Sequence, residues 1–398
     1  MNALTILNNT LSNVTPKMHK VRFEALRSCV ISLLNGSAAS VTSIGRGISS
    51  PTYEKHCIKR ADRLLSNRHL VNELPYFYTA MSYLFGRVSS TPVILVDWSD
   101  LDEYKRHFLL RASVVLSGRT LTLYQEVHPL NTKEKPRVHK RFLGCLKGML
   151  GEDCQPIIVT DAGFKTPWFR EVLSLGWHFV GRTRRQNFYS LDGQQWQCIS
   201  HLYQQATTTP VCHQGAINRS NPLACRFVIV KQRAKGRHSL NRSGQTRRSK
   251  ASKTPAKRAT DPWLLSTSLP TCSTLAKRVM KIYSQRMQIE ESFRDMKSRQ
   301  YGLGFEQNKT TQLRRLDVLI LLVTLANLVL MLLGLTLQSA GLQRRYQANT
   351  TTNRRVLSLH FLGLRGWAEK NPAITWHHWQ SAMRQLQDYI QGAAYVSN

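Results

Sequence analysis

Pro92-Val93-Ile94-Leu95-Val96-Asp97 is the stretch that decides how this chain is read. The run is short, β-branched, opened by a proline and closed by an acid, the pattern of a buried central strand. Pro156-Ile157-Ile158-Val159-Thr160-Asp161 shows the same pattern further on. A carboxylate tied to the interior is costly unless something positive compensates it. A pair of Mg²⁺ ions would do so, and such pairs drive phosphodiester chemistry. Taken singly, either aspartate reads equally well as a strand terminator or a turn cap. A third acid, Glu290, lies far downstream in a helix-like segment.

Working outward, residues 92–182 read as α/β. Two strand candidates, His107 to Leu116 and Thr120 to Val127, follow the Asp97 run, joined by the turn signal Ser117-Gly118-Arg119. A helix around His139 to Leu150, the Asp161 strand, a helix from Pro167 to Leu175 and a strand from Trp177 to Val180 complete the segment. Three strands, helix, strand, helix, strand is the order of a ribonuclease H-like core, an analogy of fold that sets an expectation and does not establish function.

The formal net charge of +33 over 398 residues points to a polyanionic partner, with nucleic acid first and an acidic membrane surface second. The length predicts two or three domains. Eight scattered cysteines without a CxxC pair speak against a structural zinc site. With no signal-like start they read as reduced thiols, hence a cytoplasmic protein. Val318 to Leu337 is almost wholly apolar and long enough to span a bilayer, interrupted only by Thr324, Asn327, Gly334 and Thr336. It is solitary and follows a highly charged segment, so the expectation is a core helix enclosed by the chain, and no membrane.

Residues 1–85 look helical. Arg22 to Leu34 has apolar residues at helical spacing, and Val41 to Arg46 resembles the short helix and turn of a helix-turn-helix. The following segment can turn Ile58, Leu64 and Leu65 inward. It offers Lys55, Lys59, Arg60, Arg63 and Arg68 as cations, as a recognition helix entering a groove would. A solvated helix face is the plainer reading. Residues 183–270 hold short β-like pieces, Arg226 to Lys231 and Trp263 to Thr267, around a basic tract that includes Arg233, Lys235, Arg237, Arg247 and Arg248. Such a tract cannot build a core and could track phosphates through charge alone.

Leu275 to Arg299 contains neither Pro nor Gly and reads as one long helix. At about 100° per residue, Tyr283, Arg286, Glu290, Phe293 and Lys297 fall on one face, beside an apolar stripe of Ile282, Ile289 and Met296. Ser284, Gln288, Glu291, Asp295 and Arg299 then lie round the other side. This geometry has Glu290 bordering the core and Glu291 facing solvent. A salt-bridged surface helix would explain Arg286 and Glu290 as an i,i+4 pair, but not the whole stripe.

The spacing Tyr283-(2)-Arg286-(3)-Glu290-(6)-Lys297 resembles the Y-(2)-R-(3)-E-(6)-K signature of a family of bacterial insertion-sequence transposases. Val96-Asp97-Trp98-Ser99-Asp100, Thr160-Asp161-Ala162-Gly163-Phe164 and Arg286-Met287-Gln288-Ile289-Glu290-Glu291 resemble its other motifs. The resemblance runs from the basic N-terminus to about residue 355 and is strongest to the cut-and-paste enzymes of composite tetracycline- and kanamycin-resistance transposons. It implies an α/β protein with a ribonuclease H-like catalytic core interrupted by a mostly β insertion, a helical N-terminal DNA-binding domain and a helical C-terminal region. The implied layout is 1–85 for end binding, 86–182 and 271–340 for the core, 183–270 for the insertion, and 341–398 with dimer contacts.

The same resemblance implies a DDE triad of Asp97, Asp161 and Glu290 holding two Mg²⁺ (or Mn²⁺) ions, with Tyr283, Arg286 and Lys297 positioning phosphates. Trp263 would stack on a displaced base. The implied activity excises DNA through hairpin intermediates and joins 3′-hydroxyl ends to target DNA. It acts as a homodimer on the terminal inverted repeats of double-stranded DNA, in the bacterial cytoplasm with the nucleoid. Two rival readings are a ribonuclease H-like nuclease that does not join strands and a non-catalytic DNA-binding repressor.

Overall fold

A computed structural model describes residues 1–15, 18–84, 91–184, 187–232, 245, 261–369 and 372–392. Along the chain come helices α1 (Ala3–Val14), α2 (Lys20–Leu34), α3 (Val41–Arg46), α4 (Glu54–Leu65) and α5 (Arg68–Leu84), then strands β1 (Val93–Asp100), β2 (His107–Leu116) and β3 (Arg119–Pro129). Next are α6 (Pro136–Met149), β4 (Ile157–Thr160), α7 (Thr166–Ser174), β5 (His178–Thr183), β6 (Phe188–Ser190), β7 (Gln197–Cys198), α8 (Ser200–Gln204), β8 (Val211–Ile217), β9 (Leu223–Val230) and β10 (Trp263–Thr267). The remainder is helical: α9 (Leu275–Ser284), α10 (Met287–Lys297), α11 (Leu313–Ser339), α12 (Leu359–Ala368) and α13 (Trp376–Gly392). The basic residues Arg233, Lys235, Arg237, Arg247 and Arg248 lie outside the described residues.

The described residues form two compact units, one of residues 1–156 and 285–392, the other of Ile157–Ser284. In the first, β1, β2 and β3 make an antiparallel sheet in the order β3-β2-β1. The apolar residues of β1 that announce a central strand, Val93 to Val96, are all buried. The β2–β3 hairpin turns at Ser117-Gly118, where Gly118 takes a φ of 86° that a residue with a side chain rarely adopts. In the second unit β4 and β5 pair in parallel. The sheet continues from β5 through β10, β9, β8 and β6 to β7, antiparallel throughout.

The long apolar segment is α11, and 94% of its most apolar window is buried. Among the described residues it is the one helix long and apolar enough to cross a membrane. Its neighbours in its own unit, α1, α2, α4, α5, α12, α13 and β3, cover it on all sides. Its polar interruptions are all accommodated. Gln125 Nε2 donates to Thr324 Oγ1 at 2.7 Å, His360 Nδ1 to Asn327 Oδ1 at 2.8 Å, and Thr336 Oγ1 to the Leu332 carbonyl at 2.8 Å. At Gly334 a Cβ would come within 2.0 Å of the Leu359 carbonyl oxygen, so the glycine is what lets α12 lie close.

Two expectations about the Glu290 segment are corrected. The continuous helix is broken at Gln285-Arg286, between α9 and α10. The break needs neither Pro nor Gly. Ser284 Oγ caps the end of α9 by donating to the Lys281 carbonyl at 2.7 Å. The chain re-enters helix through tight i,i+3 bonds, Gln288 N to Gln285 O at 2.9 Å and Ile289 N to Arg286 O at 3.2 Å. The second correction concerns the phase. Glu290 is 43% exposed by its side chain and Glu291 35%. Asp295, placed on the outer side by the wheel, is buried at 4%. The buried arc of α10 runs through Ile289, Ser292, Phe293, Asp295 and Met296 because α10 lies on the β1–β3 sheet. Polar partners wait there: Arg119 binds the Asp295 carboxylate through Nε and Nη2, and Thr120 N donates to Ser292 Oγ at 2.9 Å.

Candidate active site

β1 places Asp97 just past its apolar run, still paired in the sheet, where the residue is only 9% exposed. Its Oδ1 accepts from the Trp98 backbone N–H at 2.8 Å. Its Oδ2 accepts from Arg286 Nη1 at 3.3 Å. The same guanidinium reaches Glu290 with Nη2 to Oε1 at 2.5 Å. One cation therefore joins two acids that are remote in the chain, one from within β1 and one from the first turn of α10. Breaking the helix at Arg286 is what sends its side chain across to Asp97 while Glu290 stays one turn away.

Lys297, at the last turn of α10, donates from Nζ to Ser99 Oγ at 2.8 Å. Burial pushes its pKa below the ordinary lysine value, opposed by the nearby carboxylates of Asp100 and Asp97. Asp97 and Ser99 share a face of β1, so Arg286 and Lys297 bracket that face from the two ends of α10. On the same face lies a cation that the sequence alone did not single out. Arg111 of β2 sits opposite Asp97 in the strand register, is fully buried, donates to Gln125 Oε1 at 2.8 Å and lies over the Phe293 ring at 5.0 Å. Desolvation lowers its pKa to about 10. An arginine inside the otherwise apolar run His107–Leu116 was the available signal.

In the second unit, Asp161 follows β4 directly and is half-buried. Its Oδ1 accepts from the Gly163 backbone N–H at 2.8 Å, which fixes the turn into α7. Trp263 opens β10 and meets the ring of Tyr283 edge-on at a 5.1 Å centroid distance and 78°. Tyr283 is buried at 4% near the end of α9. It shares this unit with Trp263.

Near the N-terminus, α3 and α4 pack at close range. A Cβ on Gly45 would meet the Ile58 Cα at 2.4 Å. Cys57, Ala61, Leu64 and Leu65 are the buried side of α4. Lys55, Lys59 and Arg63 are exposed on the other side, Arg68 is exposed at the start of α5, and Arg60 is half-buried.

Asp97 and Glu290 offer hard oxygen donors of the kind Mg²⁺ and Mn²⁺ take. Both bond one guanidinium, and by donor type the pair suits a divalent cation. Among the described residues no three His, Cys, Asp or Glu side chains gather into a group that could hold a metal ion. A family model described as the transposase DDE domain matches residues 89–329. A search of curated proteins finds no match. The matched span covers more than half of the 398-residue chain and includes Asp97, Asp161 and Glu290. The chain belongs to the transposases with a DDE domain.

Proposed function

We propose that this transposase cuts transposon ends through hairpin intermediates and joins the freed 3′-hydroxyls to target DNA, as the Y-(2)-R-(3)-E-(6)-K enzymes of resistance transposons do. DDE transposases act on DNA and generally use divalent metal ions. The observation that carries the reading is the sharing of the Arg286 guanidinium by Asp97 and Glu290. It joins two of the three acids of the proposed triad to one positive centre, where α10 lies on β1. Asp161, at the end of the other proline-opened strand, is the third. The strand and helix order from β1 to β5 supports a ribonuclease H-like core, with β6 to β10 as its insertion.

Asp97, Asp161 and Glu290 would hold two Mg²⁺ or Mn²⁺ ions, which when bound activate the attacking oxygen and stabilise the leaving one. The chain's own groups do the rest. Arg286 can grip a phosphate with two parallel N–H donors, whereas Lys297 acts as a point charge. Both stand beside the Asp97 face, so a scissile phosphate brought there meets cations on two sides. Trp263 offers an aromatic face to a base displaced as the hairpin closes, with Tyr283 holding that indole edge-on. Water, the new 3′-hydroxyl, water again and finally the 3′-hydroxyl at target DNA each attack in line at phosphorus, so one site serves all four steps. Lys55, Lys59, Arg60, Arg63 and Arg68 would bind the terminal repeats, and the protein would act as a homodimer on paired ends in the bacterial cytoplasm.

The test uses the full-length protein, labelled end DNA and Mg²⁺. Asp97→Ala, Asp161→Ala and Glu290→Ala should each abolish cleavage and leave end binding largely intact. Hairpin species resolved on a denaturing gel, and strand transfer of pre-cut ends into supercoiled DNA, separate this reading from a nuclease that does not join. Cleavage without hairpin or transfer products would overturn it.

A further inference from the structure

β1 sends alternate side chains to opposite faces. Asp97 and Ser99 face α10, where Arg286 and Lys297 meet them. Trp98 points the other way, between His128 of β3 and His139 of α6. Its indole Nε1–H donates to His139 Nε2 at 3.4 Å. Its ring meets the His128 ring edge-on, with centroids 5.3 Å apart. Both imidazoles are buried. His128 is held in turn, with Nε2 at 2.9 Å from Glu126 Oε2, and Glu126 also accepts from Arg141 and from the Tyr124 hydroxyl.

His139 can accept the indole proton only in the tautomer whose Nε2 is bare. Burial, with His128 beside it, pushes its pKa down to about 4, which keeps the ring neutral near pH 7. The backbone N–H of the same Trp98 donates to Asp97 Oδ1 at 2.8 Å. The residue whose ring is clamped on the back of the strand thus supplies the amide that grips the carboxylate on the front. Tilting the indole would tilt that amide and turn the carboxylate with it.

We infer that the Trp98–His139 clamp positions Asp97, with Trp98 and His139 acting behind the site and not on the DNA. This rests on the proposed role of Asp97 as a metal-holding acid. Partners that orient a metal-holding group change affinity or rate by about 10–100-fold when removed.

The experiment compares Trp98→Phe, His139→Leu and His139→Gln with the parent and with Asp97→Ala. Four quantities are read on the full-length protein: single-turnover nicking of bound ends, end affinity, the thermal melt, and Mn²⁺ binding to the end complex by the resonance of free Mn²⁺. Trp98→Phe keeps an aromatic ring but loses the N–H, and His139→Leu loses the acceptor. Both should nick about 10–100-fold more slowly and bind Mn²⁺ more weakly, with end affinity unchanged. His139→Gln places an amide oxygen near the former Nε2 and should recover much of the rate. Parent-like nicking by Trp98→Phe overturns the clamp, as does His139→Gln being as slow as His139→Leu. So does slowing that merely follows a lower melting temperature. If Asp97→Ala itself still nicks, it is the assignment of Asp97 that fails, and that outcome is distinct from the others.

Discussion

Three acids on α10, Glu290, Glu291 and Asp295, separate a catalytic role from a structural one, and the structure assigns each a different energy. Asp295 is 4% exposed and binds Arg119, which is 13% exposed. Removing one member of a buried pair costs about 3–5 kcal/mol, because the other charge is left desolvated. Glu291 Oε2 lies 3.8 Å from Arg119 Nη1 and can take over part of that role, so Asp295→Ala belongs at the lower end of the range. Glu290 is 43% exposed, and its i,i+4 bond to Arg286 is worth about 0.3–0.5 kcal/mol to folding. The two substitutions should therefore cross over. Glu290→Ala should melt like the parent and fail to cut end DNA. Asp295→Ala should lose several kcal/mol in a denaturant titration, yet cut with Mg²⁺ in proportion to its folded fraction at low temperature. Glu291→Ala should do little to cutting. Melts and nicking assays on the same preparations would decide. An Asp295→Ala protein that is folded but inert, beside a Glu290→Ala protein that cuts, would show that the wrong acid has been assigned.

Burial, with Glu126 adding to it, raises the pKa of Asp317 to about 7, against a bond that its Oδ1 accepts from Val127 N at 3.2 Å. Because the folded value lies above the unfolded one, this group's stability contribution is full below about pH 4 and is lost as the pH rises towards 7. Asp317→Asn keeps the acceptor and should flatten that slope, by at most about 3 kcal/mol between melts at pH 5 and 8, and less for partial exposure. Arg60→Ala should lower the salt slope of end binding by about one unit if Arg60 meets a phosphate, and an unchanged slope and affinity would remove it from the interface. Trp263→Ala should slow hairpin closure more than first nicking, by about 5- to 150-fold for a stacking loss of roughly 1–3 kcal/mol. Equal slowing of both steps would make it a packing residue of β10.

The parts of this molecule that were legible in the sequence are those fixed by local composition. Val93 to Val96 and Ile157 to Val159 could hardly be anything but buried strands, and β2 spans the same residues, His107–Leu116, that its apolar run marks. α11 was legible as an enclosed helix because an isolated apolar run after a charged segment had no second span to accompany it. What stayed hidden was wherever a polar side chain goes inward to meet a partner from elsewhere in the chain. The helical wheel turned Asp295 outward, but an acid goes inward where a desolvated cation waits. Asp295 has Arg119 across the β2–β3 hairpin, and Ser292 has Thr120 next to it. Arg111 is the converse case, a cation in an apolar strand whose place is made by Gln125 and the Phe293 ring. The same physics broke the helix at Arg286, since a guanidinium shared between Asp97 and Glu290 depends on an acid brought there by β1. Motif and spacing singled out Asp97, Arg286 and Glu290 as candidates, while their mutual charge arrangement is a property of the folded chain. That is why substitutions within α10, where the sequence pattern and the structure disagree most, are the sharpest test of the mechanism.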